Sequence, residues 1–297
     1  MPLAFNTIFA VPDNPNPFPP FGQRPPSASI SQGSPSNITI TNKFFNQPVI
    51  GTDYIDLETC SNITITDCDF DTFPDAIGSG RRCIYLLSCT GTVSILRCRA
   101  RSIPHNFIQF DKSHMTGTIA NNRVRGTTTN SEDCISFFQS GGVDATNRLL
   151  VTNNAVDGNI PSLSTPGYTS SSGTGLICGD AAQDANTGFM DVVNNTFLNP
   201  GQVGLAIAGG NNDTVDGNIV YSIQTATSNV GMYIWNPGSS LVCSNMEARQ
   251  NRVKWLNSSG SDNGFFNTGN CGTITNVSDN NFSDSTIDPA NLTVNLG

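Results

Sequence analysis

Lysine is almost missing from this 297-residue chain and occurs only at Lys43, Lys112 and Lys254. Charged residues of either sign make up 12% of the sequence, and the formal net charge is −9. Binding to nucleic-acid phosphates needs clustered lysine and arginine, so the composition argues against a nucleic-acid partner and disfavours a polyanionic glycan. A local group such as the arginines within 97–101 can still outweigh the net charge.

Long apolar runs are missing as well. No run approaches the length of a membrane-spanning helix, so we expect no membrane partner. Residues 1–6 lack a basic start and a long apolar segment, so no signal peptide is visible. We expect the protein to act in an extracellular or periplasmic space, or on a phage particle.

The chain does contain a loose repeat of roughly 20 to 30 residues, which runs from Asn37 to about Ser285. The segment Ser-Asn-Ile-Thr-Ile-Thr at 36–41 returns at 61–66, and a similar alternation recurs at 90–95. Repeats of this length that are rich in Asn, Thr, Ser and Gly indicate a solenoid, and alternating apolar and polar residues indicate strands. We therefore predict an all-β fold, a single-domain right-handed parallel β-helix of about nine coils.

The domain organisation follows from the proline content. Residues 1–36 are rich in proline and are predicted to form an N-terminal arm or cap, while residues 37–297 form the β-helix. A cap would cover the unpaired strand edges at the end of a solenoid. Paired asparagines recur where strands turn, for example at Asn122 and Asn154, and their amides are expected to form a ladder from coil to coil.

The nine cysteines form no Cys-x-x-Cys pair, and His105 and His114 are the only histidines, so we expect no zinc site. The cysteines recur instead at like positions of the repeat. Neighbouring coils lie about 4.8 Å apart, which brings stacked cysteines within disulfide range. We expect most cysteines to be buried free thiols and Cys243–Cys271 to be the best candidate for a disulfide.

Acidic residues form the pattern that points to chemistry. Asp111, Asp133 and Asp180 lie about one coil apart once an inserted loop is discounted, and Glu132 stands beside them. We expect these carboxyls to converge on one face. Mutual repulsion would raise the pKa of one of them and leave a proton donor beside an ionised base, which is the apparatus of glycoside hydrolysis. The alternative is that the acids cap turns or bind a calcium ion.

A second group of residues is predicted to hold substrate. Tyr233 and Trp235 follow glycine-containing segments, where small neighbours would let a sugar ring stack; a tryptophan packed beneath a loop is the alternative. His105 lies one strand upstream of Asp111 and is either a proton shuttle, a substrate contact or an incidental turn residue. The predicted substrate-binding residues are Arg101, His105, Lys112, Tyr233 and Trp235.

The segments 109–112, 131–133, 179–180, 199–202, 207–210 and 230–236 resemble a group of bacterial and phage right-handed β-helix proteins described as pectate-lyase-like or polysaccharide-degrading. The resemblance covers about residues 37–285. It implies the β-helix fold and a role on glycans, without a defined substrate.

The segment Glu132-Asp133-Cys134 is similar to the Asp-Asp-Cys segment of polygalacturonases, with glutamate in place of the first aspartate. In those enzymes another aspartate lies on the preceding coil, where Asp111 stands here. The Gly-His-Gly that follows in those enzymes is missing from this chain. The resemblance thus implies carboxylate chemistry rather than a particular substrate.

These observations predict a carbohydrate-active enzyme, a glycoside hydrolase, that cleaves a polysaccharide or oligosaccharide in a groove along the β-helix. Asp133 and Asp180 are the predicted acid and base, tuned by Asp111 or Glu132. No cofactor is expected, and a monomer is expected rather than a trimer. Two alternatives stay open: a polysaccharide lyase that acts on a uronic-acid polymer with Ca²⁺ as cofactor, and a non-catalytic glycan-binding or phage tail solenoid.

Overall fold

The computed structural model describes residues 20–23, 25–46, 53–71, 82–103, 105–127, 131–158, 173–180, 186–238 and 242–296. These residues form a right-handed parallel β-helix, so the predicted fold class is confirmed. Three long parallel sheets run along the molecule, and consecutive strands pass from one sheet to the next. In the described part of the chain no helix is long and apolar enough to cross a membrane.

Sheet 1 takes one strand from each of nine successive coils. Its strands, numbered in chain order through the whole molecule, are β1 (Ile30–Gly33), β4 (Ile55–Glu58), β7 (Arg82–Leu87), β10 (Asn106–Asp111), β13 (Ile135–Phe138), β16 (Thr174–Gly179), β19 (Val203–Ala208), β23 (Val230–Trp235) and β27 (Phe265–Phe266).

Sheets 2 and 3 contain eight strands each. Sheet 2 is formed by β2 (Ser36–Thr41), β5 (Ser61–Thr66), β8 (Thr90–Leu96), β11 (His114–Ala120), β14 (Leu149–Thr152), β17 (Met190–Val193), β21 (Thr214–Asp216) and β25 (Glu247–Arg249). Sheet 3 is formed by β3 (Phe44–Phe45), β6 (Asp69–Asp71), β9 (Arg99–Ile103), β12 (Arg123–Thr127), β15 (Ala155–Asp157), β18 (Thr196–Leu198), β22 (Ile219–Ser222) and β26 (Arg252–Trp255). The short strands β20 (Gly210–Asn211) and β24 (Cys243–Ser244) pair beside them, and two 3-10 turns lie at Val277–Asp279 and Pro289–Asn291.

The β-helix begins before residue 37, because β1 and the first residue of β2 lie within the segment predicted as an arm or cap. Residues 1–19, which hold most of the prolines of that segment, lie outside the described residues.

The alternation that predicted the strands also builds the core. Inward side chains of sheet 2 stack in register, as Ile40, Ile65, Ile95 and Ile119 do on four successive coils. β-Branched side chains pack well on a pleated surface, and full burial of one isoleucine contributes about 1.5–3 kcal/mol. The repeated sequence thus forms one continuous apolar column.

A ladder of buried asparagines connects sheets 2 and 3, as the paired asparagines predicted. Its buried members are Asn122, Asn154, Asn195, Asn218 and Asn251, and the half-buried Asn280 ends it. Each Nδ2 donates to the Oδ1 of the next asparagine at 2.7–3.1 Å, and the Oδ1 of that next residue also accepts from a backbone amide. The ladder therefore provides hydrogen-bond partners for the buried backbone amides of the turns.

Replacing Asn195 with alanine should destabilise the protein strongly, because its amide joins both neighbouring rungs and the carbonyl of Val151. Each buried polar group left without a partner costs about 1–3 kcal/mol, so we expect a loss of at least about 2 kcal/mol in urea unfolding. The exposed Asn291→Ala serves as the control, with an expected change within about 0.5 kcal/mol. Equal stability of the two variants would contradict a structural role for the ladder.

The cysteine prediction is confirmed in both parts. Cys243 and Cys271 form a disulfide with a Cα–Cα distance of 4.6 Å. The buried free thiols are those of Cys60, Cys68, Cys83, Cys89, Cys98, Cys134 and Cys178.

Candidate functional site

The outer face of sheet 1 holds most of the predicted site residues. Strand pairing places one outward residue from each coil in a single row: Ser31, Asp56, Tyr85, Gln109, Ser136, Ile177, Ala206, Tyr233 and Phe266. The row is polar at its N-terminal end and apolar and aromatic at its C-terminal end. Three groups of side chains are arranged along it.

Asp133 lies just before β13, at the edge of sheet 1 where the strands begin. Its Oδ1 accepts hydrogen bonds from the backbone amide of Thr174 at 3.0 Å and from the Thr174 hydroxyl at 2.6 Å. The pKa of Asp133 is raised to about 6, mainly by burial and then by the charges of Asp180 and Glu132, while the Thr174 hydrogen bonds oppose the rise. Asp133 thus carries a proton over much of the mildly acidic range.

The charges of Asp180 and Glu132 contribute to the raised pKa of Asp133. Thr174 is level with Asp133 in the strand register, and Asp180 lies six positions further along the chain, at the other end of the strand. Asp180 follows β16 in a left-handed backbone conformation, with φ +41°. Burial, and next the charge of Glu132, raise the pKa of Asp180. Glu132 is mostly exposed, and its Oε1 lies 2.9 Å from Nε2 of His105. We call Glu132, Asp133 and Asp180 the carboxyl cluster.

Tyr233 connects the carboxyl cluster with the C-terminal part of the row. Its ring packs against Ile177 and Ala206 on the two preceding strands. Burial raises the pKa of Tyr233, and the charges of Asp133 and Asp180 raise it further. The phenol therefore stays protonated beside the two carboxyls, where it can donate a hydrogen bond.

An aromatic patch, defined as Tyr233, Trp235 and Phe266, continues the row. The Tyr233 and Trp235 rings meet edge to face with centroids 6.1 Å apart, and Trp235 and Phe266 do the same at 6.1 Å. With Asn229 and Asn263 these rings line a surface depression of about 240 Å³. Trp235 is partly exposed here, and Phe266 is 43% exposed.

A third group, near the N-terminal end of the row, was missed by the sequence reasoning. Arg82 binds Asp53 with Nη2–Oδ2 at 2.7 Å and lies over the Tyr85 ring, 3.3 Å from its centroid. The Tyr85 hydroxyl donates to Asp111 Oδ2 at 3.0 Å. Burial and this bond raise the pKa of Tyr85 to about 12. The outward positions of Tyr85 and Gln109 in aligned strands were the available signal.

Neither Asp111 nor Asp180 is stacked on Asp133 in the strand register, so the expected acidic column is wrong for both residues. Asp111 pairs with Phe138, at the opposite end of the strand from Asp133, while Asn106 donates to the Asp133 carbonyl. The reason is coil length: register partners Ile108 and Ile135 are 27 residues apart (135 − 108), whereas Asp111 and Asp133 are 22 apart (133 − 111).

Arg101 is not at this site, because it lies on β9 in sheet 3. There it faces Asp71 at 3.4 Å and stacks over Phe21, 4.4 Å from the ring centroid. Lys112 is exposed in the turn after β10, next to Asp111. Of the predicted contacts, His105 and Tyr233 are therefore brought to the carboxyl cluster, and Trp235 lies beside Tyr233.

Among the described residues, no group of three or more His, Cys, Asp or Glu side chains is arranged to hold a metal ion. No protein-family model matches this chain. Neither the curated proteins nor the solved structures include a significant match.

Proposed function

We propose that this protein is a glycoside hydrolase whose carboxyl cluster cleaves a glycan lying along the outer face of sheet 1. The observation that carries the proposal is Asp133, a carboxyl on the outer face of sheet 1 that has a pKa of about 6 and on which the charge of Asp180 acts. Acid–base cleavage of a glycosidic bond requires one carboxyl that holds a proton and a second carboxyl that is ionised. Membership of the pectate-lyase-like group and an extracellular, periplasmic or phage-particle location are proposals as well.

In the proposed mechanism, protonated Asp133 donates its proton to the glycosidic oxygen as the bond to the anomeric carbon breaks. Ionised Asp180 removes a proton from water, whose oxygen bonds to that carbon. The products are a sugar with a new reducing end and the released alcohol. Glu132 favours the protonated form of Asp133 by its negative charge, and the Tyr233 hydroxyl orients Asp180 or a sugar oxygen.

The lyase alternative receives less support from this arrangement. β-Elimination needs a base beside the substrate carboxylate and a positive group that neutralises that carboxylate. The candidate bases Arg101, His105 and Lys112 lie in three different places, and Arg101 is on another sheet. The surroundings of Asp133 are acidic and would repel a uronate.

A digest of a broad glycan panel tests the proposal. We expect new reducing ends without an unsaturated uronyl product in the ultraviolet, and no loss of activity after treatment with a chelator. Ultraviolet absorbance that disappears with the chelator would support a calcium-assisted lyase instead. Calorimetric binding of a glycan without any new reducing ends would support the second candidate function.

That second candidate is a non-catalytic glycan-binding solenoid, and the aromatic patch favours it. Exposed aromatic rings next to amide side chains give a surface on which a sugar ring can stack whether or not cleavage follows. The interacting carboxyls beside Tyr233 are the reason for preferring the enzyme.

A further inference from the structure

The depression at the C-terminal end of sheet 1 has an uncharged lining. Its side chains are Asn229, Val230, Tyr233, Trp235, Asn263 and Phe266. Asn263 donates from Nδ2 to the Asn229 carbonyl at 2.8 Å, which fixes the amide at the rim of the aromatic patch. Flat rings with a fixed amide beside them fit the apolar face and the hydroxyl groups of a pyranose.

We propose that this depression is a subsite for an uncharged sugar unit of an oligosaccharide that extends along sheet 1 to the carboxyl cluster. The inference rests on the proposed function and deepens it, because it assigns the substrate class and a minimum length. Tyr233 links the depression to the carboxyl cluster. Its ring belongs to the aromatic patch, and the charges of Asp133 and Asp180 raise the pKa of its hydroxyl.

The charge of sheet 1 selects the class of glycan. The carboxyl groups presented along this sheet are Asp56, Glu58, Asp111, Glu132, Asp133 and Asp180. Arg82, among the basic residues near them, is already bound by Asp53. A polyuronate would meet repulsion along this face, whereas a neutral glycan would not, so we assign neutral hexose or pentose units.

The spacing between coils determines the minimum length of the bound oligosaccharide. Three steps separate β13, which follows Asp133, from β23, which carries Tyr233 and Trp235. At about 4.8 Å per coil these steps span about 14 Å, and an extended glycan advances by a similar length per sugar. A chain of about four sugars therefore reaches from the cleavage position to the aromatic patch, while a disaccharide does not.

Kinetics on ladders of neutral oligosaccharides test the subsite. The probes are gluco-, xylo-, manno- and chito-oligosaccharides from disaccharide to hexasaccharide, matching oligogalacturonides, and an aryl monoglycoside of the cleaved sugar. We expect Trp235→Ala and Phe266→Ala each to raise KM for tetrasaccharides and longer chains by about tenfold or more. The aryl monoglycoside, which fills only the cleavage position, should be turned over as by the wild type.

Val143→Ala is the matched control, since Val143 is as exposed as Phe266 but lies outside sheet 1. Calorimetry with Asp133→Asn measures binding without cleavage. Unchanged KM in both aromatic variants while the wild type cleaves, or tighter binding of oligogalacturonides than of neutral ladders, would overturn this inference and leave the hydrolase proposal standing. Binding of neutral chains that depends on Trp235, without cleavage by the wild type, would support the subsite and overturn the hydrolase proposal. Absence of binding to every probe would overturn both.

Discussion

Replacing Asp133 with asparagine is expected to lower hydrolysis by about 10²–10⁴-fold, the range typical for loss of a general acid. The amide oxygen of asparagine can still accept both hydrogen bonds from Thr174, so the turn before β13 should keep its structure. The loss should appear in kcat rather than in KM, because the proton is transferred only in the transition state.

Glu58→Gln is the matched control for this change. Glu58 is an exposed carboxylate on the same sheet, three strands away from β13, and its replacement should leave turnover close to that of the wild type. An Asp133→Asn protein that folds normally and keeps full turnover on its own substrate would remove Asp133 from the mechanism.

The pH dependence of the wild type provides an independent check. A general acid works in its protonated form, so kcat/KM should fall as the pH rises through about 6, the pKa of Asp133. Residual activity of Asp133→Asn should lack this decline. A pH profile shared by the wild type and the variant would assign the decline to another group.

The fold could be predicted from the sequence because the same physical pattern is repeated on every coil. Ile38 and Ile40 recur as Ile63 and Ile65, and these residues are in register in sheet 2. The asparagine ladder could be predicted for the same reason, since Asn122 and its equivalents sit at a fixed turn. Local alternation and turn chemistry were enough to determine these features.

The site could be predicted only in part, because it depends on the register between coils of unequal length. The charges of Glu132 and Asp180 raise the pKa of Asp133, but the expected stack is not formed, because Asp111 is five positions and Asp180 six positions away from Asp133 in register. Insertions and turns between strands set this register, and the repeat alone does not reveal them. The contact between Arg82 and Tyr85 depends on the direction of two long side chains, which the alternation does not specify.

The second large effect that we predict is on stability, and it concerns the buried carboxyl of Asp213. Its carboxyl is 1% exposed, and its Oδ1 accepts from the Met190 amide at 3.0 Å. Its Oδ2 is buried and has no hydrogen-bond partner among the described residues. Burial raises the pKa of Asp213 to about 7 from a value of 3.8, against the Met190 bond and the charge of Arg148. A carboxyl inside the solenoid is thus tolerated mainly in its neutral form.

Asp213→Asn should therefore make the protein more stable by an amount that is already about 1.5 kcal/mol at pH 5 and grows until about pH 7. A folded-state pKa above the unfolded-state pKa means that the folded protein binds more protons, so wild-type stability falls as pH rises from about 4 through about 7. A rise in the pKa from 3.8 to about 7 corresponds to at most about 4 kcal/mol. Asparagine keeps the Met190 hydrogen bond, resembles the neutral acid in shape and has no charge to bury.

Urea unfolding of the wild type and Asp213→Asn at pH 5 and pH 8.5 measures this effect. Asp133, Asp180 and Asp56 also have raised pKa values, so both proteins should lose some stability as pH rises, and only the difference between them reports on Asp213. We expect that difference to be about 1.5 kcal/mol in favour of the variant at pH 5 and to grow to several kcal/mol at pH 8.5. A constant difference at both pH values would mean that Asp213 is already ionised in the folded protein, with its charge compensated by a group such as Arg148.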